Sequence, residues 1–227
     1  MILDTLRQKI EEDPVLSKIR EKVIAGTSTL DDCWRYSIVS SDILGDVLGD
    51  EILQILLEQR QDITVLLMQD RYDDIAQMLL ETQQQLDAKD GIHVGIKIPD
   101  FNLERAAQIG GSLADETADD STIVRRAKSA PVTATKQIMD FYIRDNARIR
   151  TDLGFKTEVI RTSVAGCCPW CEAISGVYQY TKEPEGIFRR HDNCNCRISY
   201  RTSKTASNLV GDGKKWIEIE DTLHIMK

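Results

Sequence analysis

The stretch GCCPWCEAISGVYQYTKEPEGIFRRHDNCNCRISY, residues 166–200, decides how the second half of the chain folds. It carries five of the six cysteines and one of the three histidines. Cys168 and Cys171 form a C-x-x-C pair. Twenty residues further on, His191, Cys194 and Cys196 form H-x-x-C-x-C. A C-x-x-C bite brings two thiolates onto one ion, and a second Cys/His cluster completes a tetrahedron. That is the sequence form of a structural zinc site, one ion per chain. Five donors, Cys168, Cys171, His191, Cys194 and Cys196, compete for four places. If the last of them enter a strand, Cys194 and Cys196 share a face, because side chains alternate there. His191 is then either the fourth ligand or a supporting group. Cys167, next to Cys168, is expected to point away.

Other readings of the cysteines meet objections. Disulfides belong to oxidising compartments. The N-terminus, MILDTLRQKIEED, has acids where a secretory signal has bases. A redox pair Cys168-Pro169-Trp170-Cys171 would need a β-α-β setting, and it leaves the distal cluster unexplained. His191-Asp192-Asn193 beside cysteines suggests an HNH-like metal-dependent nuclease, but His93 and His224 are remote in sequence. A nucleic-acid-binding zinc module would use Arg189, Arg190, Arg197, Arg201, Lys214 and Lys215 on phosphates. In the competing reading, Arg189 and Arg190 are solvated or paired with Glu183, Glu185 or Asp192.

Composition bounds the rest. The 227 residues are 41% hydrophobic and 29% charged, enough for an ample core. The net charge of −8 is uneven. Residues 1–90 hold 19 acids and 9 bases, and residues 91–227 hold 18 acids and 20 bases. Such a chain is not a typical nucleic-acid binder as a whole. No apolar run reaches the length of a membrane helix.

Hydrophobic periodicity predicts helices over most of the first 90 residues. One spans 3–26, with a fresh start at Asp13-Pro14. A second opens at Ser28-Thr29, a third runs from Ser41 to about Gln61, and a fourth from about Thr64 to Asp87. Gln83, Gln84 and Gln85 read as a polar face. Asp90-Gly91 is a turn and a soft boundary. Alternating Ile92, Val94, Ile96 and Ile98 predict a short strand ended by Pro99. Asn102–Glu116 reads as a helix interrupted at Gly110-Gly111. A short basic piece follows at Val124–Lys128, then a break at Ala130-Pro131. Thr133–Thr151 is the strongest late helix. Extended pieces at Phe155–Val164, Val177–Tyr180, Arg197–Arg201 and Trp216–Ile219 suggest a small antiparallel sheet pinned by metal. The expected class is α+β and mainly helical. An acidic helical region, 1–90, precedes a zinc-stabilised, β-containing domain, 91–227, with its knuckle at 166–200.

Arg161, Cys168, Trp170, Cys171, Ser175, Gly176 and Tyr178 make the string R-x6-C-x-W-C-x3-S-G-x-Y. The string F-R-R-H-D-N-C-x-C-x-x-x-Y runs from Phe188 to Tyr200. Together they resemble the C-terminal domain of phage minor head proteins, the Mu F-like head morphogenesis family. Lys214-Lys215-Trp216 resembles the tail that follows that motif. The resemblance covers roughly residues 134–220. It implies a non-enzymatic virion structural protein of a tailed phage, at the portal vertex or head interior and assembled in the bacterial host cytoplasm. It implies the portal and major capsid proteins as partners, a role in head assembly, DNA packaging or ejection, and neither a membrane nor a small-molecule substrate. Packaged DNA would be at most a weak, salt-sensitive contact.

Overall fold

The computed structural model describes residues 2–164, 166–190, 194 and 196–203. Seven α-helices and one three-stranded antiparallel sheet make up its described part. The helices are α1 (Ile2–Glu12), α2 (Pro14–Ile24), α3 (Leu30–Glu51), α4 (Arg60–Asp90), α5 (Leu103–Leu113), α6 (Asp120–Asp152) and α7 (Pro169–Ala173). The strands are β1 (Lys156–Thr162), β2 (Gly176–Gln179) and β3 (Arg197–Ser203), in the order β2-β1-β3. None of the described helices is long and apolar enough to cross a membrane. His191, His224, the Lys214-Lys215-Trp216 tail and the strand expected at Trp216–Ile219 lie outside the described residues.

Local chemistry sets several helix ends where the sequence places them. Asp13 accepts from the Val15 and Leu16 N–H groups at 2.9 Å, with Pro14 at the first helical position. Thr29 and Asp32 close a capping box at the start of α3. Gly91, at φ 61°, ends α4 in the left-handed cap a glycine favours.

Elsewhere packing overrides local punctuation. The expected break near Ser41 is absent, and α3 runs unbroken from Leu30 to Glu51. Ser37 and Ser40 are buried and bond back to the carbonyls of Trp34 and Ser37, which satisfies their hydroxyls inside the helix. Gly45 lies on the same helix, and a Cβ there would sit 2.7 Å from the Lys128 carbonyl oxygen. Small residues on α3 therefore let α6 approach closely. The α3 helix also stops at Glu51, and a turn with a short 3₁₀ segment, Leu57–Gln59, replaces the rest of the expected third helix.

The expected break at Ala130-Pro131 is likewise absent, because α6 continues through a buried Pro131. An interior proline costs about 3 kcal/mol in an isolated helix, and the long buried interface with α3 offsets it. The α5 helix runs through Gly110-Gly111 without interruption. A Cβ at Gly110 would meet the Gln61 backbone at 2.8 Å, so this glycine marks a contact with α4 and not a stop.

The strand predicted at Ile92–Ile98 does not form. Its alternation survives as buried Ile92 beside exposed His93, but among the described residues no neighbouring strand completes a ladder. Instead, Asn146 of α6 accepts from the Lys97 N–H at 3.0 Å and donates to its C=O at 2.7 Å. A side-chain amide thus stands in for one residue of a partner strand.

One apolar core runs from Leu6 and Leu16 through Leu44, Leu48, Leu67 and Leu79 to Ile143, Val159 and Ile198, so helices from both sides of residue 90 share it. At its junction with the sheet lies a buried polar network. Tyr142 and Tyr200 donate to Gln83 Oε1 at 2.9 and 2.7 Å. Gln83 donates to Asp87, which Arg150 holds at 2.6 Å. The expected polar glutamine face is therefore only partly solvated. Gln84 is exposed, Gln83 is buried, and Gln85 donates to the Val23 carbonyl.

Candidate metal centre

Three structural choices bring the cysteines together. The chain leaves β1 and turns at Gly166, at φ 77°. It then enters α7 with Cys168 as the N-cap and Pro169 at the first helical position. The Cys168 thiol accepts from the Cys171 N–H at 3.4 Å. This short helical turn lets one C-x-x-C present both sulphurs to the same side. Cys194 and Cys196 lie just ahead of β3.

The Sγ atoms of Cys171, Cys194 and Cys196 all lie within 4.8 Å of one another, and all three residues are buried. Cys171 Sγ and Cys194 Sγ are 3.7 Å apart. Two sulphurs each about 2.3 Å from one tetrahedral ion would be about 3.8 Å apart. A disulfide needs about 2 Å, and none of the six cysteines is in one. This buried trio can hold a metal ion. Cys168 packs against it at the rim. Cys167, expected to point away, packs there too, because the turn at Gly166 curls the chain back over the cluster. Cys33 sits apart on α3, its thiol on the Met78 carbonyl, and burial pushes it up to about 12.

The surroundings are cationic. Arg161, on β1, is 1% exposed. Its Nη2 donates to Cys171 Sγ at 3.5 Å and Cys194 Sγ at 3.7 Å. Its Nη1 donates to the carbonyls of Ile187 and Arg189. The Trp170 ring covers this guanidinium at 5.3 Å. Arg190 donates to the Cys196 carbonyl at 2.5 Å and reaches Cys194 Sγ at 3.9 Å. It is also held by Asp140 of α6, with Nη2 2.8 Å from Oδ1. Lys136, one turn earlier on α6, donates to the Cys194 carbonyl at 3.1 Å.

These contacts shape the thiols. Burial pushes Cys171 up to about 12 despite Arg161. Cys194 moves the other way. Burial raises it, but the Cys196 N–H, the Cys171 thiol and Arg190 together hold it below an ordinary thiol. One thiolate is thus favoured, and a second beside it is resisted until a cation arrives. A metal ion bound here would displace protons, and acid would oppose it.

The arginines expected near phosphate are already engaged. Arg190 is buried on Asp140, Arg197 pairs with Asp31, and Arg201 with Glu158 at 2.6 Å. Arg189 comes within 3.6 Å of Glu185, with both side chains largely exposed. Asp140 and Lys136 escaped the sequence reading because they lie on a helix about 55 residues before the distal cysteines. The signal for Arg161 was legible in principle. It shares the inward face of β1 with Thr157 and Val159, a register where a charge needs a buried partner. No family model, curated protein or solved structure matches the chain.

Proposed function

We propose that this chain is a minor head protein of a tailed phage, a virion structural component in which one zinc ion fixes the shape of the C-terminal module. The observation that carries the reading is how the motif residues are used. The side chains of Arg161, Trp170, Cys171, Ser175, Tyr178, Arg190, Cys194 and Cys196 all serve the cluster or its scaffold. Ser175 donates to the Cys171 carbonyl at 2.8 Å, and Tyr178 donates to the Ser175 carbonyl at 3.2 Å. The motif builds a shape and leaves no reactive group directed at solvent from these positions. A centre whose four places are filled by protein side chains keeps no open position for water, which is the arrangement of a structural metal and not of a catalytic one.

The resemblance to the Mu F-like family supplies the setting. The partners would be the portal and the major capsid protein, and the role would be in head assembly, DNA packaging or ejection. Packaged DNA would be a weak, salt-sensitive contact, with Arg189 as its most exposed cation in the motif, 75% accessible. The test uses virions and procapsids of the phage that carries the gene. The chain should copurify with portal and shell. A double Cys168→Ser, Cys171→Ser mutant should form normal shells with fewer infectious units per particle. Normal infectivity per particle in that mutant would sink the role.

A further inference from the structure

We infer that Asp140 of α6 is a positioning residue of the metal centre: through Arg190 it holds the backbone of the Cys194–Cys196 pair so that both sulphurs turn toward one ion. The inference rests on the metal reading above and adds to it a residue outside the sulphur set. The arrangement is a fork. Arg190 donates from Nη2 to Asp140 Oδ1 at 2.8 Å and from Nε to Oδ2. Both side chains are buried, 3% and 2% accessible. A guanidinium held by two such bonds to one carboxylate has its plane and direction fixed. Its remaining edge, Nη1, then faces the cysteines. It donates to the Cys196 carbonyl at 2.5 Å, lies 3.5 Å from the Cys194 carbonyl and reaches Cys194 Sγ at 3.9 Å. One planar group thus joins an acid of the long helix to both carbonyls of the C-x-C pair.

The direction of those carbonyls matters. A carbonyl fixes its peptide plane, and the planes on either side of a residue set where its Cβ points. Cys194 and Cys196 lie in no described helix or strand, and the ladder with β1 begins only at Arg197. Among the described residues, the side chains that hold these two carbonyls are Arg190 and, on Cys194, Lys136 at 3.1 Å. Both come to the pair through α6, Lys136 directly and Arg190 by way of Asp140. The C-x-x-C half has a separate device, since α7 turns Cys168 and Cys171 to one side. Stability alone does not call for an ionic pair at Asp140 and Arg190, because apolar groups of like volume often replace a buried pair without loss. An apolar pair cannot donate to two carbonyls, and that is the work the charged pair does here.

Zinc affinity of the full chain, measured by competition with a chromophoric chelator, tests this role. Asp140→Asn should weaken zinc binding on the order of 10- to 100-fold, the size of a lost supporting contact. Arg190→Lys keeps the charge without the fork, and it should weaken zinc binding on the order of tenfold. The variant that separates positioning from packing is the double one, Asp140→Leu with Arg190→Met, which puts an apolar pair of similar volume in place of the ionic one. Saturated with zinc, it should keep the helical circular dichroism of the parent and the amide protection of Glu158–Arg161, yet bind zinc as weakly as Asp140→Asn. Parent affinity in the double variant would reduce Asp140 and Arg190 to packing and overturn the inference while leaving the metal reading intact. Parent affinity in Arg190→Lys would do the same, and that variant decides the matter where the others do not fold. Folded parent protein that takes up no zinc would overturn the metal reading, and this inference with it.

Discussion

In the helical body the fully buried side chains include Leu6, Ile10, Leu16, Leu44, Leu48, Ile52, Leu67 and Ile75, with Tyr36 beside them and, at the junction with the sheet, Tyr142 and Arg150. Around the knuckle they are Cys171, Cys194 and Cys196, with Arg161, Arg190 and Asp140 beside them. Apart from that junction, the first set needs only to leave water. The second set carries charge, and burial penalises it unless each charge meets another. The two regions should therefore fail differently: the helices when apolar volume is lost, the module when its charge balance is lost. Between them lies the Gln83–Asp87–Arg150 network with Tyr142 and Tyr200, which touches both.

On the proposed metal reading, the largest expected effect is removal of the metal or of one ligand. Cys171→Ser, or chelation under reducing conditions, should dissolve the β1–β2–β3 sheet and leave most of the helix in place. The cysteines form a packing cluster of their own, apart from the main apolar core, and structural zinc in small folds contributes on the order of 10 kcal/mol or more of apparent binding energy. Circular dichroism should keep its helical signal, and backbone amides of Glu158–Arg161 should lose protection from hydrogen exchange. Concerted loss of both signals would show that the helices and the sheet unfold as one unit.

Next in size is the junction. Arg150→Met leaves Asp87 buried without its cation, and breaking such a pair costs about 3–5 kcal/mol. Because Arg150 also lies under the Tyr200 ring at 5.3 Å, the loss should lower the stability of the helices and of β3 together. Double-mutant analysis with Tyr200→Phe should reveal coupling. Strict additivity would mean that the two regions are held by apolar contact alone.

A smaller effect, confined to the helices, should follow from Gly45→Ala. The added Cβ would lie 2.7 Å from the Lys128 carbonyl oxygen, so α3 and α6 must move apart. Overpacking of this kind costs roughly 1–3 kcal/mol. Thermal unfolding should shift downward while the proposed zinc binding stays at the parent level.

The same contrast explains what the sequence disclosed. Short-range chemistry was readable: the Asp13-Pro14 start, the Gly91 stop, and the C-x-x-C and C-x-C pairs that build the trio. Features decided by a distant surface were not. Pro131 reads as a break until α3 is laid beside it. Gly110 reads as a stop until Gln61 of α4 is seen against it. Ile92–Ile98 reads as a strand because its alternation is genuine, yet its partner is one amide, Asn146, which no periodicity announces. Asp140 and Lys136 belong to the site only through the fold of α6 over the knuckle.

The smallest expected effect is a pH dependence that belongs to the helical body alone. Asp70 of α4 sits between two arginines, with Arg7 Nη2 at 2.6 Å and Arg71 against its other oxygen. Burial raises its carboxyl, but Arg71 and then Arg7 hold it below the usual carboxylate range. A carboxyl whose folded value is depressed contributes stability that is complete above its unfolded value, near 3.8. That contribution fades as pH falls from there through the lower folded value. The Asp70→Asn variant should thus be less stable than the parent near neutrality, on the order of 1 kcal/mol for so exposed an arginine as Arg7, and the gap should close in acid. Asp32, Asp115 and Asp119 are also depressed, so the parent alone will show a steeper slope. The difference between parent and variant isolates Asp70. Urea unfolding at stepped pH values, followed through the helical signal, measures that difference. A gap that stays constant from neutral pH into acid would place the role of Asp70 in packing and not in charge. On the proposed zinc reading, metal content followed in parallel should fall with acid equally in both proteins, because the cysteines that would hold the ion lie in the other region.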